Sequence, residues 1–217
     1  MCGIIGIVSG EPVADRLVDG LRRLEYRGYD SAGIATIHDG VMDRRRAPGK
    51  LANLARELLL DPLPGSIGIA HTRWATHGAP TRDNAHPHAT ENVCLVHNGI
   101  IENFAELKTE MEAEGRVFES QTDTEVVAHL LDHKLAAGMA PLDAFKATLD
   151  RLTGAYALAV LIEGEDELIL GARRGSPLVV GWGEGEMYLG SDALAVGPFT
   201  QKISYLEEGD YVAVTRT

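Results

Sequence analysis

Cysteine is nearly absent. The two copies, Cys2 and Cys94, cannot build a disulfide framework in 217 residues, which favours a reducing compartment. Basic charge is also scarce: Lys and Arg number 20 against 32 Asp and Glu, for a net charge of −12. Without a basic stripe, a nucleic-acid partner is not expected. The one basic run, Arg44-Arg45-Arg46, reads as a solvated turn or strand edge. No stretch approaches the ~20 apolar residues of a membrane-spanning helix. Gly3–Val8 is too short and lacks the basic flank of a signal peptide, so a cytoplasmic location is the expectation. Internal repeats, low-complexity tracts and obvious linkers are missing too, and residues 1–217 read as one domain. The sequence stops just after a strand-like stretch, Tyr211–Thr215, as one domain of a longer polypeptide would.

Apolar residues make up 45% of the chain, enough for a substantial core, and 24 glycines point to many tight turns. Ile4–Val8 reads as a buried strand. Pro12 suits a first helical turn, and Val13, Leu17, Leu21 and Leu24 fall on one helix face ending near Arg27-Gly28. Ile34–Ile37 is strand-like, with Asp39-Gly40 as a hairpin turn and a return strand from Val41. A helix over Leu51–Leu60 is expected to bury Leu51, Leu54, Ala55, Leu58 and Leu59. Ile67–Trp74 is another strand. The polar stretch from Ala75 to Asn92 is a long loop, which in a compact domain is usually functional or disordered.

Val93–His97 reads as a strand closed by Asn98-Gly99. A helix follows over Asn103–Gly115, with Phe104, Leu107 and Met111 as its buried face. Thr122-Asp123-Thr124-Glu125 has the form of a capping box, opening a helix through Leu131, and Pro141–Leu152 is a further helix. After Gly154 the strand-like segments Tyr156–Ile162, Leu168–Ala172, Leu178–Gly181, Met187–Gly190 and Tyr211–Val214 follow with short turns, favouring antiparallel pairing. Helices in a block between two groups of strands predict an α+β fold with packed sheets, not a doubly wound parallel sheet.

Cys2 follows the initiator methionine. Once Met1 is removed, one carbon carries both a thiol nucleophile and a free α-amine, with pKa values of about 8.5 and about 7.7–8.0; an amine-activated N-terminal nucleophile is an established form of covalent catalysis. With Met1 attached that nitrogen is an amide and no base, so the sequence as it stands is the unprocessed form. Taken alone, Cys2 reads sooner as a small apolar residue entering a strand than as a nucleophile. Asn98-Gly99 has the look of a plain turn, Asp123 of a helix-dipole acid, Arg73 of a surface ion-pair residue, Trp74 of a half-buried core residue, and His71 and His97 of satisfied core residues. Cys94, inside Val93–Val96, reads as inert.

Together these segments resemble a known family. Cys2-Gly3-Ile4 with Gly6, Arg73-Trp74-Ala75-Thr76-His77-Gly78, His97-Asn98-Gly99 and Thr122-Asp123-Thr124-Glu125 are similar, in order and spacing, to the class II, N-terminal-nucleophile glutamine amidotransferases. Leu21–Gly33, with Glu25-Tyr26-Arg27-Gly28-Tyr29-Asp30-Ser31, and Asn84-Ala85-His86-Pro87-His88 resemble the branch that forms amino sugars. The resemblance extends through Gly175-Ser176-Pro177-Leu178 and Leu206–Asp210.

It implies a four-layer αββα sandwich of two mainly antiparallel sheets flanked by helices. It implies hydrolysis of the L-glutamine side-chain amide through a Cys2 thioester, without a cofactor or metal, the ammonia going on to aminate fructose 6-phosphate. Asn98 and Gly99 would form the oxyanion site. Arg73 would bind the glutamine carboxylate and Asp123 its ammonium, with Trp74, Thr76, His77 and Gly78 around the substrate. Arg27 would order the cysteine, and Trp74 would gate the exit of ammonia. The partners implied are C-terminal sugar-isomerase domains, for which this chain has no room, and a second copy in a homodimer of the full-length enzyme.

Other readings stay open: a sister amidotransferase with another acceptor, a catalytically silent glutamine-binding module, or a metal-dependent hydrolase. The last draws on the five of 8 histidines between His71 and His97, but no His-Glu-x-x-His or Cys-x-x-Cys spacing accompanies them.

Overall fold

The computed structural model describes residues 2–75 and 78–216. The chain runs β1 (Gly3–Val8), α1 (Ala14–Arg22), a 3-10 turn (Glu25–Arg27), β2 (Ser31–His38), β3 (Val41–Pro48), α2 (Leu51–Leu60), β4 (Ile67–Arg73), β5 (His88–Ala89) and β6 (Val93–Ile101). It continues through α3 (Phe104–Ala113), α4 (Glu125–Ala136), α5 (Pro141–Leu149), β7 (Gly154–Ile162), β8 (Ile169–Arg174), β9 (Val179–Trp182), β10 (Met187–Gly190), α6 (Ala193–Val196), β11 (Ile203–Tyr205) and β12 (Tyr211–Val214).

The strands form two sheets, ordered β11-β9-β10-β1-β4-β2-β3 and β12-β8-β7-β6-β5, and every strand pairing is antiparallel. The side-chain alternation of the strands sorts the core into layers. From β1, Ile5 and Ile7 pack against α1 and α2 through Leu17, Leu21, Leu54 and their neighbours. Ile4 and Val8, one residue out of phase, face Cys94, Val96, Ala157 and Ala159 of the second sheet. From β6, Val93 and Leu95 point the other way, into Val127, Leu131 and Phe145 of α4 and α5. A helix layer, two sheets and a second helix layer follow, as the resemblance implied. β1 is buried along its whole length because both its faces are covered, which explains its unbroken apolar run.

Several local expectations change. Leu59 is 85% exposed, because α2 buries Leu51, Leu54 and Leu58 at helical spacing and the next residue turns outward. Asn98-Gly99 is no turn: β6 runs on to Ile101, pairing Asn98 with Ala157 and Gly99 with Tyr156. The capping box is absent although its helix forms. Thr124, at the helix boundary, makes no side-chain cap bond; its hydroxyl bonds His86 and His97 instead. Glu125 turns away to accept the N–H groups of Glu119 and Ser120, at 2.8 and 2.7 Å.

Nor is the basic run simply solvated. Arg46 donates to the carbonyls of Asp83 and Ala85 at 3.1 and 3.2 Å, and Arg44 to that of Pro87 at 3.1 Å. The later part of the long loop is therefore clamped to the edge strand β3. β5, α6 and β11 are too short to show a periodicity in sequence.

Candidate active site

Layering and register bring the chemistry together. Cys2, immediately before β1, shares the even-numbered phase of Ile4 and Val8, and Asn98 that of Cys94 and Val96, so both belong to the space between the sheets. The Asn98 Nδ2–H donates to the Cys2 carbonyl at 3.2 Å. A cavity of about 300 Å³ opens here, lined by Cys2, Arg27, Arg73, Trp74, Asn98, Gly99 and Asp123. Seven of the ten expected site residues thus share one cavity of a size suited to a small molecule. Gly78 does not line it; its carbonyl accepts from the Arg73 guanidinium at 3.0 Å. Thr76 and His77 lie outside the described residues.

Each position has a structural cause. Cys2 Sγ accepts the Trp74 N–H at 3.2 Å. Burial raises the thiol pKa above its ordinary value, and the Trp74 N–H works against that. The chain leaving β4 is pinned by Asp30, whose N–H donates to the Arg73 carbonyl at 2.7 Å and whose carboxylate accepts the Ala75 N–H at 2.5 Å. The Trp74 ring lies on Gly28, where a Cβ would come within 2.5 Å of Cζ3. Arg73 is 3% exposed, no surface ion-pair residue, and its guanidinium reaches the carbonyls of Gly78 and Ala79. Arg27 pairs with Asp192. Asp123 accepts the Ile101 N–H at 2.7 Å, which ties it to the end of β6. Gly99 has φ +120°, and a Cβ would fall 2.0 Å from the Ala155 carbonyl oxygen, so only glycine fits this approach.

A group of buried histidines meets the cavity: His86 and His97 line it, and His71 and His88 lie behind them. The His71 and His86 rings are 4.2 Å apart, and His86 and His88 4.7 Å. Burial lowers the pKa of His71 and His88 to about 3, and that of His86 well below its ordinary value, so all three are neutral at pH 7. Thr124 Oγ1 lies 2.9 Å from His86 Nε2 and 3.0 Å from His97 Nδ1. A hydroxyl has one proton, so at most one of the two rings accepts from it and the other must donate to it. Thr122 Oγ1 bonds His88 Nε2 at 3.1 Å. The two threonines flanking Asp123 are thus each bonded to histidine rings. Among the described residues, no group of three or more His, Cys, Asp or Glu is placed to hold a metal ion.

Sequence reasoning missed part of the wall: Ser176, Pro177 and Ser191 also line the cavity. Ser176-Pro177 sits in a segment that carried the resemblance, but its role there had no chemical signature. Ser191 had none at all; its hydroxyl accepts the Ile4 N–H at 2.9 Å and so anchors the start of β1. A larger cavity, about 640 Å³, opens beside Met42–Arg44 and Ala89–Glu91. Its only thiol is Cys94, fully buried and pushed by that burial to a pKa of about 12, so it offers no nucleophile at neutral pH.

A family profile described as "Glutamine amidotransferase domain" matches residues 71–197. A glutamine–fructose-6-phosphate aminotransferase [isomerizing] of Caulobacter vibrioides is 71% identical over 99% of this chain and 35% of its own length. One from Zymomonas mobilis is 66% identical over 100% and 36%. The chain therefore spans about a third of the length of these curated relatives. Among solved structures, a glutamine phosphoribosylpyrophosphate amidotransferase from B. subtilis superposes with a TM-score of 0.83 at 28% identity, over 99% of this chain and 47% of that one. A glutamine aminotransferase class-II domain protein from Silicibacter pomeroyi, at 15% identity and TM-score 0.67, shares the fold. No helix among the described residues is long and apolar enough to cross a membrane. With a profile spanning more than half its length and a cysteine, asparagine, arginine and aspartate gathered at one cavity, the chain belongs to the class II glutamine amidotransferase family.

Proposed function

We infer that this domain hydrolyses the side-chain amide of L-glutamine to glutamate and ammonia, with Cys2 as nucleophile. The observation that carries the reading is the Asn98 amide, held 3.2 Å from the Cys2 carbonyl in a cavity that also contains Arg73 and Asp123. After removal of Met1, the Cys2 α-amine takes the thiol proton as Sγ attacks the amide carbon. Negative charge then develops on the amide oxygen, where the Asn98 Nδ2–H and the Gly99 N–H stabilise it. The C–N bond breaks, the amine returns its proton to the leaving nitrogen, and ammonia departs from a γ-glutamyl thioester. A water molecule, deprotonated by the same amine, attacks the thioester; glutamate leaves and the thiol is restored.

Arg73 faces the glutamine α-carboxylate, which a guanidinium fork matches. Asp123 faces the α-ammonium. Gly78 acts through its carbonyl on the Arg73 guanidinium, the resemblance assigns Thr76 and His77 to the substrate surroundings, Arg27 orders the Cys2 end, and Trp74 stands where ammonia leaves. In the full-length protein the ammonia serves to convert fructose 6-phosphate to glucosamine 6-phosphate on C-terminal sugar-isomerase domains, with two copies forming a dimer. The activity named for the relatives, and the third of their length that this chain spans, support the conversion of fructose 6-phosphate on further domains.

The deciding experiment is glutamate release by the 217-residue protein, with intact mass confirming loss of Met1. Cys2→Ala is expected to abolish turnover and keep glutamine binding. Normal turnover by that variant would overturn the reading. The domain alone is expected to form no amino sugar from fructose 6-phosphate and glutamine.

A further inference from the structure

The Asn98 side chain has two ends of the same shape and opposite hydrogen-bonding character. Its Oδ1 lies 3.0 Å from His71 Nε2, and its Nδ2 lies 3.2 Å from the Cys2 carbonyl oxygen. The same His71 Nε2 lies 3.0 Å from the carbonyl oxygen of His97. A backbone carbonyl only accepts, so Nε2 must carry the ring proton. That N–H is then shared between His97 O and Asn98 Oδ1. Turning the amide over would set its NH2 against the His71 N–H and its oxygen against the Cys2 carbonyl. Both ends would lose a bond and gain a repulsion.

His71 is held in this role. It lies on β4 in the phase of Ile67 and Ile69, facing the second sheet, and is 0% exposed. The His86 ring packs 4.2 Å from it. His71 is not among the residues that line the cavity, so it does not meet substrate. It acts only through Asn98.

We propose that His71 is the positioning residue of the oxyanion site: its Nε2–H fixes the Asn98 amide with the NH2 turned toward Cys2 and the cavity. This rests on the glutaminase reading above. One Nδ2 proton goes to the Cys2 carbonyl, and the second is the one a developing oxyanion receives.

Two substitutions of similar polarity separate positioning from packing. In His71→Gln the side-chain nitrogen falls near the place of imidazole Nε2, while in His71→Asn it falls near that of Nδ1. In Met1-processed protein, His71→Asn is expected to lower kcat for glutamate release by about tenfold or more, short of the roughly 100- to 1000-fold cost of deleting an oxyanion donor outright. KM is expected to stay within about twofold, because the contact matters most as charge develops. His71→Gln is expected to recover kcat to within about threefold of the unaltered protein. In an Asn98→Ala background, His71→Asn is expected to cost nothing further.

An equal loss in both backgrounds would make His71 merely structural and overturn the proposal, as would an unchanged kcat in His71→Asn. If the variants do not fold, nitrogen-15 NMR of the unaltered protein decides: a protonated Nε2 with a bare Nδ1 upholds the proposal, and the opposite tautomer ends it. If the unaltered, processed protein releases no glutamate, the glutaminase reading fails, and the tautomer still decides the placement of Asn98.

Discussion

At Gly99 the backbone leaves no room for a side chain, since any Cβ would fall 2.0 Å from the Ala155 carbonyl oxygen at a φ of +120°. Gly99→Ala is therefore expected to destabilise the protein by about 3 kcal/mol in denaturant titration and to lower glutaminase turnover as β6 and β7 separate. A change below about 0.5 kcal/mol would mean that the strand pair yields freely. Cys2, Arg73 and Asn98 each read as a plain structural residue when taken alone, and it was the resemblance of the segments together that singled them out. Their gathering at one cavity was not legible from spacing, because it depends on two sheets meeting face to face. Ser191 shows the limit: its contribution is a pair of hydrogen bonds to Ile4 across 187 positions of chain, and nothing local announces it.

Among the elements, β3 does more than close a sheet edge. Arg44 and Arg46 leave it on the same face and hold three carbonyls of the 83–87 segment. Arg46→Ala removes two of these bonds, and amide exchange at Asn84, Ala85 and His86 is expected to speed up by about tenfold, with the β2–β4 ladder unchanged. Unaltered exchange at those amides would show that Asn84, bonded to Ala79 and Gln121, holds the segment unaided. Strands and helices with strong periodicity were readable: α2 lies at its expected bounds, and the hairpin of β2 and β3 turns at Asp39-Gly40. What sequence missed were choices among partners. Thr124 has the side chain of a helix cap, yet two histidines from a distant segment take its hydroxyl. The end of β6 likewise depends on β7 being present to pair with it.

For the molecule as a whole, the buried histidines set a limit on acid stability. His71, His86 and His88 are neutral when folded, their pKa values held far below the ~6.5 of an unfolded histidine by burial. Folded values below unfolded ones mean that their contribution to stability is whole above about pH 6.5 and is lost as pH falls toward 3. Near pH 5, unfolding takes up about three protons, which costs about 4 kcal/mol of stability per pH unit. Glu125 adds to this below about pH 4.3. Burial opposes its ionisation, but the neighbouring His129 ring and the hydrogen bonds from Ser120 and the backbone N–H groups of Glu119 and Ser120 outweigh burial and lower its pKa to about 2. With domain stabilities of roughly 5–15 kcal/mol, urea midpoints are expected to fall steeply from pH 7 to 5, with unfolding complete between about pH 5 and 3. A flat profile over pH 7 to 5 would contradict neutral buried rings. The seat of Trp74 has a different kind of consequence. The chain has two tryptophans: Trp182 stands on β9 bonded to Ser204, and Trp74 rests on Gly28 with its backbone N–H on the Cys2 sulfur. With Trp182 replaced by phenylalanine, the remaining indole becomes a native fluorophore at the nucleophile, and its emission reports on every molecule that enters the cavity or alkylates the thiol.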